Sequence, residues 1–320
     1  GFKATLFGGK HSFKNARFNA VNDTANSAIS VSGMFYLLNG AKIYDISIAN
    51  SCTYSFALNK HTYVGTVAGY SNSASLTNVS SFANVTVNNG ASSASNLQIY
   101  VGGFIAVNSG SATLNLCSYQ GTITTTAGNG TPKDSSGNTV AYSDNSILIG
   151  GAIGWIGNTS PIAVDGCYFK PVVRANHGGQ CVGIVFGSGS SSASTVFKMS
   201  NIIAIADFKS TGTTTSPDIG QLNGYTNGNL TAGNSSNVTQ NVYISTNVTC
   251  NTPIRGSSGS NYMSANPPTN LVSNQSLLGG TKVSNSAEVY AKAKANSSIT
   301  AKFDFLPDGS PVPKFAPFFP

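Results

Sequence analysis

Val64-Gly65-Thr66-Val67-Ala68-Gly69-Tyr70 carries the pattern that decides the fold: a β-branched residue, Gly, any residue, an apolar residue, any residue, a small residue, then usually an aromatic. The pattern returns as Val101-Gly102-Gly103-Phe104-Ile105-Ala106-Val107, Ile149-Gly150-Gly151-Ala152-Ile153-Gly154-Trp155, Val182-Gly183-Ile184-Val185-Phe186-Gly187-Ser188 and Ile219-Gly220-Gln221-Leu222-Asn223-Gly224-Tyr225. Upstream, Ser32-Gly33-Met34-Phe35 and Phe7-Gly8-Gly9 begin similarly and lose the second small residue, so they read as weaker copies. Self-similarity at intervals of a few tens of residues is the signature of a solenoid.

Several anchors are followed by a Ser/Asn/Gly-rich turn and a second, alternating segment, as in Leu76 to Val87 and Val238 to Val248. Alternation of apolar and polar residues, rich in Thr, Val, Ile and Tyr, is strand chemistry, because successive side chains point to opposite faces. Stacking such coils at roughly 4.8 Å pairs the backbone of each with the next and merges their apolar faces into one core. The expected fold is therefore all-β, a parallel β-helix, with inserts such as Thr125 to Ser146 looping outward; an antiparallel sandwich is the alternative. The recurring Gly suits a tight corner where a Cβ would clash or φ must be positive. A second column is expected from Asn50-Ser51-Cys52-Thr53-Tyr54, Asn78-Val79-Ser80-Ser81-Phe82, Asn115-Leu116-Cys117-Ser118-Tyr119 and Asp165-Gly166-Cys167-Tyr168-Phe169, which share Asn/Asp, then Cys or Ser, then an aromatic.

These anchors and Asn-rich strands resemble the GLUG-type repeats of adhesin-like extracellular proteins over roughly residues 30 to 250. The resemblance implies a β-helical surface or secreted protein whose repeats are structural and carry no catalytic residues. Cys stands where many such repeats have Ser or Ala, which leaves thiol chemistry open.

Charged residues make up 8% of the chain and mean hydropathy is +0.01, so hydroxyls and amides must cover the surface. The net charge of +7 comes from 17 basic and 10 acidic residues spread thinly, with small concentrations at Lys3, Lys10, Lys14 and Arg17 and at Lys292, Lys294 and Lys302. No run interleaves Arg with aromatics as a nucleic-acid platform does, which argues against nucleic acid and leaves acidic glycans as weak partners of the termini. There is no apolar run of membrane-spanning length, and the start at Gly1, without Met or a leader, reads as a processed chain or a fragment. One elongated body over residues 1–283 and a C-terminal cap and arm over 284–320 are expected.

Five cysteines are an odd number. Equivalent positions on neighbouring coils lie roughly 5 Å apart, within disulfide range, so Cys117 and Cys167 either bond or sit as buried thiols in a stack. Cys52 should lie too far from Cys117 to bond, and Cys181 and Cys250 have no obvious partner. Metal-ligand spacing is missing, and no cofactor is expected. Asn-x-Ser/Thr acceptor triplets stand at Asn22, Asn78, Asn84, Asn229, Asn234, Asn237, Asn247, Asn274 and Asn296, with Asn129 and Asn158 made poorer by a following Pro.

In the tail, Ser284 to Lys294 reads as a helix, Phe303-Asp304-Phe305 as a strand, and the Pro-rich run to Pro320 as an extended arm turning at Asp308-Gly309. Phe315, Phe318 and Phe319 either pack along their own solenoid or dock on a neighbouring subunit, which makes self-association or other extracellular structural proteins the expected partners. Catalysis on a glycan needs paired carboxylates, and the ten acidic residues are dispersed; Asp165 and Asp207 are the pair closest to meeting across coils. His11, His61 and His177 have no local partner motif. The expectation is a non-enzymatic structural protein of a secreted or cell-surface fibre or adhesive layer. The alternatives are a glycan-binding adhesin using Tyr63, Tyr70 and Tyr100, and a polysaccharide lyase or hydrolase.

Overall fold

The structure is a computed structural model that describes residues 1–22, 29–56, 61–89, 98–127, 147–157, 161–175, 180–189, 196–211, 218–219, 223–226, 238–250, 280–282 and 286–314. The chain is a parallel β-solenoid, and the anchors stack in register. Gly65, Gly102, Gly150 and Gly183 pair in one column, continued by Val182 opposite Ile219 and begun by Ser32 opposite Val64. Three positions after these glycines, Ala68, Ile105, Ile153 and Phe186 form the next column of pairs with Phe35 and Asn223, which sets Gly69, Ala106, Gly154, Gly187 and Gly224 side by side.

Between the two glycines of an anchor the chain turns so sharply that no Cβ fits. A Cβ on Gly102 would lie 1.8 Å from the Ile105 carbonyl oxygen, and one on Gly150 would lie 2.0 Å from that of Ile153. The second glycine faces the backbone of the opposite strand, where a Cβ on Gly187 would stand 2.6 Å from Ile149 N and one on Gly224 2.6 Å from Val182 N. At the far corner the requirement is left-handed backbone: Asp45, Asn78, Leu116, Gly166, Asn201 and Asn241 all have φ between +52° and +64° and occupy equivalent positions. Asn, Asp and Gly adopt that region at little cost, and Leu at a larger one.

The core is built from inward columns such as Ile46, Val79, Cys117, Cys167, Ile202 and Val242, all essentially inaccessible to solvent. Each buried Ile, Leu or Val contributes roughly 1.5–3 kcal/mol, and only once the neighbouring coil is in place.

The structure corrects four expectations. Phe7-Gly8-Gly9 is no anchor: Phe7 pairs with Tyr44, and Gly9 and Lys10 form a left-handed bulge at the Asp45 corner. Cys52 belongs to a different part of the coil from Cys117, since Thr53 and Tyr54 pair with Arg17 and Phe18. The Asn78 segment is offset by one residue, because Ser118 pairs with Ser80 and Tyr119 with Ser81; Asn78 itself takes the left-handed corner that Leu116 and Gly166 take in later coils. Finally, the described part of the C-terminal unit packs on the flank of the solenoid, across several coils.

That unit comprises a helix, Ser286–Lys294, a short helix, Ser297–Thr300, and an antiparallel pair, Phe303–Phe305 with Pro311–Pro313, turning at Gly309. Val289, Ala293, Ile299 and Phe303 pack on Tyr168, Ile203 and Tyr243. These three belong to one outward column, Ser47, Ser80, Ser118, Tyr168, Ile203 and Tyr243, which changes from hydroxyl to apolar where the unit docks. The last coil is extended by strand Gly280–Lys282 on Val242–Ile244.

Leu116 is the corner residue least suited to φ +53°. Leu116→Asn should stabilise the protein by about 1 kcal/mol, removing the left-handed penalty, and Gly102→Ala should destabilise it by about 1–3 kcal/mol through the carbonyl clash. Denaturant melts of the two variants test this; a Leu116→Asn protein less stable than the parent would refute the corner argument.

Candidate functional site

Across the sharp Gly corner, outward side chains of the two strands meet. Tyr63 and Tyr100 each precede the β-branched residue of an anchor, and Tyr70 and Trp155 each close one, so the outer faces of the two strands bring them together. Tyr63 and Tyr100 stack at the coil spacing, with centroids 4.8 Å apart and planes within 2°. Tyr70 meets Tyr63 edge-on at 5.6 Å, Tyr36 meets Tyr70 at 5.6 Å, and Trp155 lies 6.0 Å from Tyr100. Val31, Ala106, Val107 and Leu148, with Ile29 packed against them, belong to the same apolar cluster, which is separate from the core. Tyr63 and Tyr100 are only 6% and 7% exposed, whereas Tyr36, Tyr70 and Trp155 remain half-buried at the rim. On one edge, Tyr63 OH donates to Gln98 Oε1 at 2.6 Å, and Gln98 N–H donates to His61 Nδ1 at 2.9 Å. Burial pushes the His61 imidazole below its ordinary value, in keeping with a neutral ring that accepts.

The three tyrosines singled out from the sequence are thus brought together, and Tyr36 and Trp155 join them. Trp155 was legible as the aromatic that ends its anchor. Tyr36 was not, because its anchor has lost the small residue at that position.

Asp165 and Asp207 are not brought together; they lie on different strands of the coil, opposite Ser200 and Val172. Asp165 accepts from Ser200 Oγ at 2.8 Å, Asn201 Nδ2 at 2.7 Å and Lys302 Nζ at 2.8 Å. It stands beside Gly166, and its carboxylate fills the gap that this side-chain-free corner leaves in the amide ladder. From Asn201 the ladder runs on to Asn241 at 3.0 Å and to Asn296 of the C-terminal unit at 3.2 Å. Asn296 Nδ2 also reaches Tyr243 OH at 2.8 Å. Partial burial pushes the Asp165 carboxyl up, and the hydrogen bonds from Lys302, Asn201 and Ser200 outweigh it, leaving the group below its ordinary value. Asp207 pairs with Arg174 across one coil step and accepts from Asn247 Nδ2 at 3.0 Å.

Cys117 and Cys167 occupy successive coils, and both are free, fully buried thiols in this structure. The bond weighed from the sequence is not formed: Cys117 N–H points at Cys167 Sγ at 3.4 Å, and the thiols lie against main-chain carbonyls, among them Asn115 O at 3.3 Å and Asp165 O at 3.4 Å. Burial, with the neighbouring Cys117, holds the Cys167 thiol well above its ordinary value. Cys52 is buried with Sγ on Phe13 O at 3.2 Å.

Among the glycan acceptors, Asn78 is 3% exposed and gives its amide to Asp45, and Asn296 gives its amide to the ladder; a glycan on either would replace those bonds. Asn84 is exposed with Oδ1 engaged by Thr122 N–H at 2.8 Å, and Asn247 is exposed with its amide on Asp207. Asn129, Asn158, Asn229, Asn234, Asn237 and Asn274, the side chain of Asn22, and the arm residues Phe315, Phe318 and Phe319 lie outside the described residues. Among the described residues no helix is long and apolar enough to cross a membrane, and no three His, Cys, Asp or Glu side chains gather as metal ligands.

No family model matches the chain, and no match was found among curated proteins or among solved structures.

Because the folded Asp165 value is depressed, its contribution is complete above the unfolded carboxyl value and is lost as pH falls through the folded one. Melting temperature should therefore drop more steeply between about pH 5 and 3 in the parent than in Lys302→Met, by the equivalent of about 1 kcal/mol or less for a partly exposed pair. Equal slopes would count against the pairing. The thiols give a separate check: alkylation with mass mapping should label Cys117 and Cys167 only after unfolding, and a linked Cys117–Cys167 peptide from native material would overturn the thiol assignment.

Proposed function

We propose that this chain is a structural element of a secreted or cell-surface layer, a stiff β-helical rod whose partners are further copies of itself or other extracellular structural proteins. The observation that carries the reading is how the groups available for chemistry are used. Asp165 fastens the C-terminal unit, Asp207 bonds Arg174 on the adjacent coil, and Tyr63 stacks on Tyr100 one coil away. A carboxylate held by three donors, one of them a lysine, is poorly placed to protonate or attack a glycosidic bond. The repeat's resemblance to GLUG-type proteins, which rests on the anchor residues alone, points the same way.

A second reading, binding of neutral glycans, is favoured by one observation: the half-buried rings of Tyr36, Tyr70 and Trp155 rim an outer cluster without charge, with Gln98 and His61 at its edge. Aromatic rings offer the faces of sugars a flat apolar platform, and amide or imidazole groups complete their hydroxyls.

Purified protein should release no oligosaccharide from a panel of neutral and acidic polysaccharides, and electron microscopy should find end-to-end rods. Turnover that Asp165→Asn or Asp207→Asn abolishes would defeat the structural reading. A glycan array separates the second reading: binding lost in Trp155→Ala and Tyr70→Ala, with the fold intact by circular dichroism, would establish it in place of the first.

A further inference from the structure

Among the inward columns of the solenoid, one carries polar residues on two adjacent rungs. Leu38, Ser71, Asn108 and Ile156 occupy equivalent positions on successive coils, paired Leu38 with Ser71, Ser71 with Asn108, and Asn108 with Ile156. Leu38 and Ile156 belong to the core. Ser71 is 1% exposed and Asn108 0%. Asn108 Nδ2 donates to Gly110 O, but Asn108 Oδ1 and Ser71 Oγ have no protein partner. Two orphaned polar atoms on adjacent rungs of the same column would each cost about 1–3 kcal/mol if left dry.

The shape of the column supplies the remedy. Ser has two side-chain heavy atoms beyond Cα, where Leu, Asn and Ile have four, so the column has its least side-chain volume at Ser71, one rung from Asn108. Neighbouring rungs stand roughly 4.8 Å apart, less than twice an ordinary hydrogen bond, so one molecule placed between them reaches both groups. An acceptor-only Oδ1 and a hydroxyl that both donates and accepts call for a small neutral ligand with two protons to give and lone pairs to receive. A cation is disfavoured, because no carboxylate lies in this column and a charge buried without one is costly.

We propose that Ser71 and Asn108 form an internal binding site for one ordered water molecule, which donates to Asn108 Oδ1 and exchanges a hydrogen bond with Ser71 Oγ, joining two coils through the core. The water is a structural ligand of the fold: it satisfies the pair in the one register that sets Ser71 against Asn108, and a slip of a single residue would set Ser71 against Val107 or Ser109 instead.

The test uses the full chain. In a high-resolution crystal structure, a single solvent peak should lie within hydrogen-bond distance of both Ser71 Oγ and Asn108 Oδ1, and water-to-amide Overhauser transfer in solution should reach the Ser71 and Asn108 amides. An empty site, a direct Ser71–Asn108 hydrogen bond, or transfer absent from both amides would overturn the proposal. Variants give an independent arm. Ser71→Leu removes the space and strands Asn108, so its melting temperature should fall; Ser71→Leu combined with Asn108→Ile makes the column apolar throughout and should recover most of that loss. A fully additive pair would mean that no shared ligand or contact links the two residues.

Discussion

Everything in this molecule hangs on a corner too tight for a side chain. Where Gly102 or Gly150 stands, the carbonyl oxygen three residues on occupies the place of a Cβ, and on the other arm of the corner Gly187 and Gly224 let one strand lie against the backbone of another. Alanine at Gly102 or Gly150 would set its Cβ into that carbonyl oxygen, so the turn would have to open. Since the corner recurs in every coil, the strain would fall on the stacking of the whole rod as well as on one turn.

The same corner sets the outer chemistry. Folding the strand pair back at the glycines brings the outward residues of both arms face to face, so Tyr63 and Tyr70, seven positions apart in sequence, meet edge-on, and the coil repeat lays Tyr100 flat on Tyr63. An aromatic cluster on the outside of a β-solenoid is thus a by-product of inner geometry. Its innermost rings add stability as offset or edge contacts do.

At the opposite corner the backbone takes left-handed dihedrals, and the fold turns that demand into a ladder of amides. Asn201, Asn241 and Asn296 pass hydrogen bonds along the stack, and Asp165 ends the run where Gly166 has no side chain to offer. The ladder also binds the C-terminal unit, because Asn296 caps a short helix with its Oδ1 while its Nδ2 serves the solenoid. Polar side chains here join coil to coil.

The sequence alone determined the solenoid, because the Gly-apolar-small period survives in five stretches and the alternation between them has the period of a strand; the anchors pair as the pattern required. It also showed the helix and the Phe303 strand of the tail, whose composition departs from the repeat. What it did not determine is register at the second column, since Asn78 and Asn115 look equivalent in sequence while the left-handed corner falls on Asn78 in one coil and on Leu116 in the next. Nor did it reveal that the tail would clasp the flank: Tyr168, Ile203 and Tyr243 are scattered along the chain and become one apolar stripe only when the coils are stacked. Lys302 finds Asp165, and Ser71 faces Asn108, for the same reason. Contacts between coils depend on insert lengths that differ from turn to turn, and only the folded backbone adds those lengths up.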